Sequence, residues 1–396
     1  MNVIISDLHV RKHFLPLSFL RPVSTSRIGI LTIDEKWQNL ACSVSWLTEN
    51  YLQQAYPSVL TDDNFLVSAK VIPNLSLLDE MKKLKFGESL YVGDQFIVGR
   101  FSKEDAINWT PGGVANKKEL TATIHFIESL TDIFKLTPTE IVNDIKLISP
   151  QTVSREKLVM SGNKQIGDYP VYFDGDVQTF DVTFNTTEGP IYIGNQAQIM
   201  EGVKLRGPLN ISNHAAVKMS SKIYGGTSIG PFCKVGGEIS NVVFQSYSNK
   251  GHDGFLGNSV VGEWCNLGAD TNSSNLKNNY ADVKLWSYQS NRFENTGEKF
   301  CGLIMGDHSK CGINSMFNTG TVVGIGANIF GSGFPRNFIP SFAWGGASGF
   351  TTFQLNKFFE TAALMMKRRN QILSEDQKEI IKFVFDQSKT NRYWEK

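Results

Sequence analysis

The sequence lacks the marks of several common protein classes. Its 396 residues carry a formal net charge of +1 and 5 cysteines, none of them in C-x-x-C spacing. A balanced charge gives no reason to expect a nucleic-acid partner, and the cysteine spacing favours neither a zinc site nor a disulfide framework. No apolar run approaches the ~20 residues of a membrane span, and no signal peptide is evident at the N-terminus. We therefore expect a cytoplasmic protein that binds no nucleic acid and no membrane.

The strongest pattern in the sequence is a six-residue repeat. Neither the 3.6-residue period of a helix nor the alternation of a sheet explains it. A hexapeptide period is typical of a parallel β-helix, in which each six-residue side places one aliphatic residue in a stacked interior column. We predict a left-handed parallel β-helix. The recurring residues are Ile193, Ile199, Leu205, Ile211, Val217, Ile223, Ile229 and Val235.

The repeat divides the chain into an α/β part, a solenoid and a helical end. Within the α/β part, 28–33 is predicted as a strand that precedes a helix. Near the end, Ser374 with Gln377 predicts the capping-box start of a last helix. The predicted boundaries are 1–150 for the α/β domain, 151–190 for a lead-in segment, 191–335 for the β-helix and 336–396 for a C-terminal helical cap.

The six-residue period is interrupted twice, around 239–255 and around 272–303. Long loops that leave a regular solenoid lose conformational entropy on ordering and are usually functional. We therefore expect the active site at these interruptions.

Residues at both interruptions resemble a known family. The first contains Gly251-His252-Asp253-Gly254, and the second contains Asn278-Asn279-Tyr280. A Gly-His followed by an Asn-Tyr loop in a glycine-rich β-helix resembles the acetyltransferase half of GlmU, the bifunctional enzyme that makes UDP-N-acetylglucosamine. The segments 15–23 and 27–37 are similar to a GlmU-like branch of sugar nucleotidyltransferases known mainly from Bacteroidetes. The resemblance implies a Rossmann-like N-terminal domain and assembly as a homotrimer with active sites between subunits.

The resemblance implies that His252 acts as general base for an amine that attacks the thioester of acetyl-CoA directly. Histidine suits this role because its ordinary charge change lies near neutral pH. A solvent-exposed turn histidine is the alternative. The substrate-binding residues that the resemblance implies are Lys250, Phe255, Asn266, Asn279, Tyr280 and Lys284.

These substrate-binding assignments have structural alternatives. Lys250 could be a solvated loop lysine, Asn266 could form a side-chain ladder along the coil, and the Asn-rich loop could be only a turn. The chain also departs from the family. No arginine stands at 234–237, where relatives grip phosphate, and Phe255 replaces a tyrosine. His308, at a coil corner, is predicted to lie at the surface.

The N-terminal domain departs further from active nucleotidyltransferases. A glycine-rich loop normally cradles phosphates after the first strand, but here Ser6-Asp7-Leu8-His9 contains no glycine. Lys70 or a neighbour stands where the metal-binding aspartate is expected, and a lysine cannot bind Mg²⁺. No metal ligands are predicted, and Mg²⁺ is expected only if this domain is active. Arg21 and Arg27 are the candidate nucleotide or phosphate ligands. The domain is thus predicted to be degenerate.

Three functions remain open from the sequence. The first is an acetyl-CoA-dependent N-acetyltransferase that acts on an amino-sugar phosphate or a nucleotide sugar. The second is an NDP-sugar pyrophosphorylase activity in 1–150. The third is a non-catalytic trimeric scaffold.

Overall fold

A computed structural model of the chain describes residues 1–110 and 116–395. Within these residues, six strands near the N-terminus form one sheet. The three strands at one side are parallel, with Asn2–Ser6 between the other two, while Gln95–Phe101 is antiparallel to both of its neighbours. In spatial order the strands are Ser43–Leu47, Asn2–Ser6, Asn64–Ser68, Gln95–Phe101, Glu88–Val92 and Asn116–Glu119.

Short elements surround this sheet. Val71–Ile72 pairs antiparallel with His125–Phe126. Gly93 and Asp94 form the turn between two antiparallel strands, as the sequence predicts. The α-helices are Ile33–Asn39, Asn50–Gln53, Leu75–Met81, Lys103–Ile107 and Leu130–Ile148, and the 3-10 helices are Arg11–Phe14 and Val23–Thr25. The result is the α/β domain that the apolar strands and helical patterns predict.

The predicted strand at 28–33 is wrong. The chain makes a tight turn there, closed by an isolated bridge between Arg27 and Thr32. The buried carboxylate of Asp144 accepts hydrogen bonds from the N–H groups of Ile30 at 2.8 Å and Leu31 at 3.1 Å. A distant side chain thus replaces the hydrogen bonds that a neighbouring strand would supply, which local sequence pattern cannot reveal.

The solenoid is a left-handed parallel β-helix, as the repeat predicts. Equivalent strands lie three hexapeptides apart, so Ile193 pairs with Ile211 and Ile211 with Ile229. These three side chains are fully buried. Each buried aliphatic side chain contributes roughly 1.5–3 kcal/mol relative to exposure. The six-residue repeat therefore arises because these side chains form a stacked interior column.

The coils begin before the predicted start and end after the predicted stop. Val171–Phe173 pairs in parallel with Ile191–Ile193, so the expected lead-in segment already forms coil. Phe338–Ile339 and Ala343–Gly346 continue the parallel pairing at the other end. These outer coils carry more polar and aromatic residues, which hides the aliphatic repeat.

The strands of the coils follow in chain order. They are Lys164–Ile166, Val171–Phe173, Gln178–Thr179, Thr183–Asn185, Ile191–Ile193, Gln198–Ile199, Lys204–Arg206, Leu209–Ile211, Ala216–Val217, Lys222–Ile223, Thr227–Ile229, Lys234–Val235, Glu238–Phe244, Asn249–Lys250, Phe255–Val261, Asn266–Leu267, Asn272–Ser273, Leu303–Met305, Lys310–Cys311, Met316–Phe317, Thr321–Val323, Asn328–Ile329, Phe338–Ile339 and Ala343–Gly346. Thr152–Val153 and the helix Arg155–Met160 precede them, and Gly349–Thr352 turns back antiparallel on the last strand.

The α/β domain packs on the outside of the coils. Ile133 and Phe134 of the helix Leu130–Ile148 share one buried core with Val243 and Val260 of the coils. The hairpin Lys284–Ser287 and Arg292–Asn295, which leaves the solenoid at the second interruption, contributes Leu285 to the same core. The two halves therefore form a continuous apolar interface.

Two helices follow the solenoid, Leu355–Lys367 and Glu375–Gln387, with 3-10 turns at Ser388–Asn391 and Tyr393–Glu395. Ser374 and Gln377 make the predicted capping box, with the Gln377 N–H donating to Ser374 Oγ at 3.2 Å. Phe358 packs on Phe342 of the last coils, with ring centroids 5.3 Å apart. No helix in the described part of the chain combines the length and apolar character that a membrane span requires.

Candidate active site

His252 lies on an exposed turn that follows the short strand Asn249–Lys250. The turn lies directly against the preceding coil. A Cβ at Gly237 would lie 2.7 Å from the carbonyl oxygen of Gly254, and Gly237 adopts a φ of +82°. Glycine is needed at that position because of both the contact and the left-handed conformation. The sequence Gly236-Gly237 thus allows the histidine turn to lie close to the solenoid.

Lys250 holds this turn from inside the solenoid. Its side chain is fully buried, and Nζ donates to the carbonyl oxygens of Gly236 at 3.3 Å, His252 at 2.9 Å and Asp253 at 3.3 Å. Burial lowers the pKa of the amine to about 8. The predicted role of Lys250 as a substrate ligand is therefore wrong. The chain alternates inward and outward residues here, and Lys250 takes the inward position that Val235 takes one coil earlier.

His252 opens onto a cleft of about 610 Å³, which we call the histidine cleft. Asn249 and Asn266 stand in register on neighbouring coils and present their amides to it. Its polar lining residues are Lys218, Lys234, Asn249, His252, Asn266, Arg368 and Arg369. Asn266 therefore lies beside His252, while Phe255 is half-buried and does not line this cleft.

Four of these residues are basic, and we call Lys218, Lys234, Arg368 and Arg369 the cation cluster. The arginines follow the helix Leu355–Lys367, and Arg369 Nη2 donates to Asn249 Oδ1 at 3.0 Å. The arginine that the family places at 234–237 is absent. Two arginines just after the helix Leu355–Lys367 line the same cleft instead. Sequence reasoning missed them because a basic run at a helix C-terminus is already favoured by the helix dipole.

The Asn-Tyr loop does not line the histidine cleft. Tyr280 is 66% exposed, and Asn279 Oδ1 accepts a hydrogen bond from the N–H of Ala281 at 3.1 Å. Lys284 lines a separate cleft of about 1070 Å³ together with Arg336. That cleft shares no lining residue with the histidine cleft. Within one chain the structure therefore does not bring these three residues to His252.

Arg21 borders a cleft of about 490 Å³ but is engaged by carboxylates of the coils. It is buried, ion-paired with Glu263 at 2.6 Å and hydrogen-bonded to Asp307. Burial opposes its charge, but the two carboxylates outweigh this effect and raise the pKa of the guanidinium. The predicted phosphate contact is wrong because the side chain joins the α/β domain to the coils.

Arg27 is also structural. It is 4% exposed, and its guanidinium donates to the carbonyl oxygen of Ile30 within the tight turn. Its backbone N–H donates to Gln245 Oε1 of the coils at 2.7 Å. The predicted phosphate contact of Arg27 is therefore wrong as well.

The carboxyl ends of the parallel strands Asn2–Ser6 and Asn64–Ser68 border a small cleft of about 170 Å³. Ser6, His9 and Lys70 line it, and no described lining residue is a carboxylate. Lys70 forms an ion pair with Glu128. Mg²⁺ prefers carboxylate and other hard oxygen ligands. The residues described here do not fit a magnesium site, and residues 1–110 and 116–395 contain no cluster of three metal-binding His, Cys, Asp or Glu side chains.

His308 is buried, contrary to the prediction of a surface residue. It ends a row of planar side chains on one coil corner, each in the left-handed conformation. Trp264 stacks on Tyr247 with ring centroids 4.2 Å apart, and His308 lies 6.3 Å beyond Trp264. Phe358 of the helix Leu355–Lys367 packs against His308, with ring centroids 5.5 Å apart, and so covers this corner. A coil corner is exposed by default, and only this helix makes it interior.

Comparison with known proteins finds a family match in the N-terminal part of the chain and distant relatives. Residues 3–152 match the family model described as sugar nucleotidyl transferase. The bifunctional protein GlmU of Methanocaldococcus jannaschii is 30% identical over 118 residues, which is 30% of this chain and 26% of that protein. GlmU of Synechococcus elongatus is 19% identical over 262 residues, or 64% of this chain and 51% of that protein. The chain is therefore similar to GlmU over part of its length.

The chain spans at most about half the length of these curated relatives. Among solved structures, it is 12% identical to a variant of AntD, an N-acyltransferase from Bacillus cereus, in complex with dTDP-4-amino-4,6-dideoxyglucose and coenzyme A. That match covers 55% of this chain and 99% of AntD, with a TM-score of 0.23.

Proposed function

We propose that this GlmU-like chain is an acetyl-CoA-dependent N-acetyltransferase that acts on an amino-sugar phosphate or a nucleotide sugar. The observation that carries the proposal is the exposed His252, which borders a cleft with several polar side chains. It lies on a turn whose carbonyl oxygens accept hydrogen bonds from the buried Lys250. A general base must be accessible and held in place. Both conditions are met where the solenoid is interrupted.

The reaction proposed is direct transfer. The amine nitrogen of the acceptor attacks the thioester carbonyl carbon, so a C–N bond forms and the C–S bond breaks. His252 takes the proton that the amine loses and returns it to the departing thiolate of CoA. The chain's other contribution is positioning, for which the amides of Asn249 and Asn266 lie in the same cleft.

The test is thiol release from acetyl-CoA by the full chain with a panel of amino-sugar phosphates. His252→Ala should lower kcat by about 10²–10⁴-fold, the usual range for loss of a general base. His214→Ala is the matched control, since His214 is an exposed histidine outside the cleft. Unchanged turnover in His252→Ala would remove the assignment, and failure of the full chain to bind acetyl-CoA would favour a non-catalytic scaffold.

We propose further that the protein works as a homotrimer in which Asn279, Tyr280 and Lys284 serve the histidine cleft of a neighbouring subunit. The support is that the two clefts share no residue within one chain and that Tyr280 is exposed. Trimers that mix His252→Ala with Tyr280→Ala subunits should regain activity, because some clefts then combine two intact contributions. Absence of such complementation would contradict a shared site.

A sugar-1-phosphate nucleotidyltransferase activity is the second candidate, favoured by the family match over residues 3–152. Against it stands the cleft at Lys70, whose described lining lacks a carboxylate. Pyrophosphate release from nucleoside triphosphates and sugar 1-phosphates by the full chain would establish this activity. No release with any pair would leave the domain as a structural or nucleotide-binding part.

A further inference from the structure

A second cleft lies where three parts of the molecule meet, and we call it the junction cleft. It has a volume of about 490 Å³. The α/β domain, two neighbouring coils and the start of the helix Glu375–Gln387 all contribute to its lining. None of its described lining residues belongs to the histidine cleft. The ionisable residues that line it are Arg21, Tyr56, Glu263, Asp307, His308 and Asp376.

The junction cleft carries more negative than positive charge. Glu263, Asp307 and Asp376 supply carboxylates, whereas Arg21 is the one lysine or arginine among the described lining residues. Burial raises the pKa of Glu263; the charge of Arg21 opposes this shift, and that of Asp307 adds to it. Two acidic groups of the coils thus share a single guanidinium, so their charge is incompletely balanced.

The carboxylates of Glu263 and Asp307 also keep free acceptor positions. Glu263 Oε1 lies 2.6 Å from Nη1 of Arg21. Asp307 Oδ1 accepts a hydrogen bond from Arg21 and one from the N–H of Glu263 at 2.8 Å. Within residues 1–110 and 116–395, no other donor reaches either carboxylate. Because a carboxylate has about four acceptor sites, both can accept further hydrogen bonds inside the cleft.

His308 gives independent evidence of a missing partner. It is 6% exposed, and its Nδ1 is buried without a hydrogen-bond partner in the described chain. Burial and the charges of Lys310 and Arg21 lower the pKa of this imidazole well below its usual value. The ring is therefore neutral and cannot balance the carboxylates. A buried polar atom without a partner costs free energy, and a bound water, ion or ligand is a common explanation.

A metal ion does not fit this arrangement. Residues 1–110 and 116–395 contain no group of three His, Cys, Asp or Glu side chains placed to hold one. An organic ammonium ion has weaker geometric demands, because its three N–H donors rotate to suit the acceptors that are present. The surplus of carboxylate therefore favours an amine over a metal.

We propose that the junction cleft binds a small organic amine in its ammonium form, with Glu263 and Asp307 accepting hydrogen bonds from its N–H groups. The ammonium takes the acceptor positions that Arg21 leaves free, and Asp376 adds negative charge from the helix. The inference does not depend on the proposed function, since the site is separate from the histidine cleft. The alternative is a water-filled gap between the three parts, which predicts no preference for an amine over a neutral alcohol.

The experiment is calorimetric titration of the full chain with two amines, each matched by an uncharged diol of similar length. Ethanolamine is compared with ethylene glycol, and putrescine with 1,4-butanediol. Glucosamine is avoided, because the proposed function places amino sugars in the histidine cleft. We expect at least one amine to bind more tightly than its diol, and its affinity to fall as salt increases. The proposal is overturned if neither amine binds more tightly than its diol.

Glu263→Gln keeps the size of the side chain and removes its charge. It should weaken the amine by about tenfold or more, as loss of a charge-assisted hydrogen bond does. Asp376→Asn leaves the ion network of Arg21 untouched and should act in the same direction, with a smaller effect because Asp376 Oδ1 already accepts from Gln54 at 2.8 Å. Unchanged amine affinity in both variants would overturn the proposal.

Two further variants locate the bound amine. Glu375→Gln is the matched control for Asp376→Asn, because Glu375 is exposed beside it and does not line the cleft. An equal loss of affinity in this control would indicate general attraction to surface charge and overturn the site. His252→Ala should bind the amine as the wild type does. A loss of binding there would place the amine in the histidine cleft, whereas a failure of acetyl transfer alone leaves the junction cleft unaffected.

Discussion

Two groups of basic residues in this chain have opposite surroundings. In the α/β domain, Arg21 and Lys36 are buried and lie between pairs of carboxylates. In the histidine cleft, the cation cluster has no carboxylate in its lining. The first group is neutralised by the chain itself, and the second leaves its charge available. The comparison teaches that a basic residue in a motif indicates a ligand only where the fold supplies no counter-charge.

The paired group also shows what joins the two halves of the molecule. Arg21 comes from the α/β domain, whereas Glu263 and Asp307 come from separate coils. Ser228 Oγ donates to the carbonyl oxygen of Gly29 at 2.6 Å across the same interface. The segments 15–23 and 27–37, which resemble a branch of sugar nucleotidyltransferases, are here largely an interface with the solenoid.

The sharpest test of this contrast is Arg21→Met. Removing one partner of a buried ion network leaves Glu263 and Asp307 without compensation, and typically costs about 3–5 kcal/mol. We expect a loss of that size in the free energy of unfolding measured with urea. Arg155→Met, at an exposed pair with Asp168 of 3.6 Å, should change stability by less than about 0.5 kcal/mol. Equal losses of stability in Arg21→Met and Arg155→Met would contradict the structural role assigned to the buried ion network.

Lys250 is the intermediate case, because it is buried and bonded to carbonyl oxygens rather than to carboxylates. Lys250→Met should release the turn that carries His252 and lower kcat by about 10²-fold, as small displacements of a catalytic group do. Acetyl-CoA affinity should change little, since Lys250 does not reach the cleft. A kcat equal to that of the wild type would show that the turn needs no support from inside.

The same residue gives a pH prediction. Its pKa is lowered from 10.5 to about 8, so between these values the unfolded chain binds more protons than the folded chain. Stability relative to Lys250→Met should therefore rise with pH across that window, by up to about 3 kcal/mol at 1.36 kcal/mol per pKa unit. Below pH ~8, the destabilisation caused by burying the charged Lys250 amine is fully present. If the free energies of unfolding of the wild type and of Lys250→Met differ by the same amount at every pH from 7 to 10.5, the lowered pKa of the buried amine is contradicted.

The regular solenoid could be predicted from sequence because each coil repeats one requirement. An aliphatic residue such as Ile211 must fill the same interior column as its neighbours, and a six-residue period records this directly. Lys250 and His308 could not be placed this way. Lys250 takes an inward position without being apolar, and the burial of His308 depends on Phe358, which lies far along the chain.

The candidate site was predictable in part for a similar reason. His252 is marked by the break in the repeat and by its glycine neighbours, which are local signals. The cation cluster combines lysines from the coils with two arginines that directly follow a helix more than a hundred residues later. Only the three-dimensional packing of that helix brings them together, so no spacing in the sequence identifies the set.

The smallest expected effect completes the comparison. Lys234→Met removes one of several like charges and leaves no carboxylate unpaired in the cleft. We therefore expect its free energy of unfolding in the absence of ligand to stay within about 0.5 kcal/mol of the wild type, with any change in the stabilising direction at low salt. Urea unfolding at low and high ionic strength measures this. A clear loss of stability would mean that Lys234 is compensated after all, and that the two groups of cations differ less than their contacts indicate.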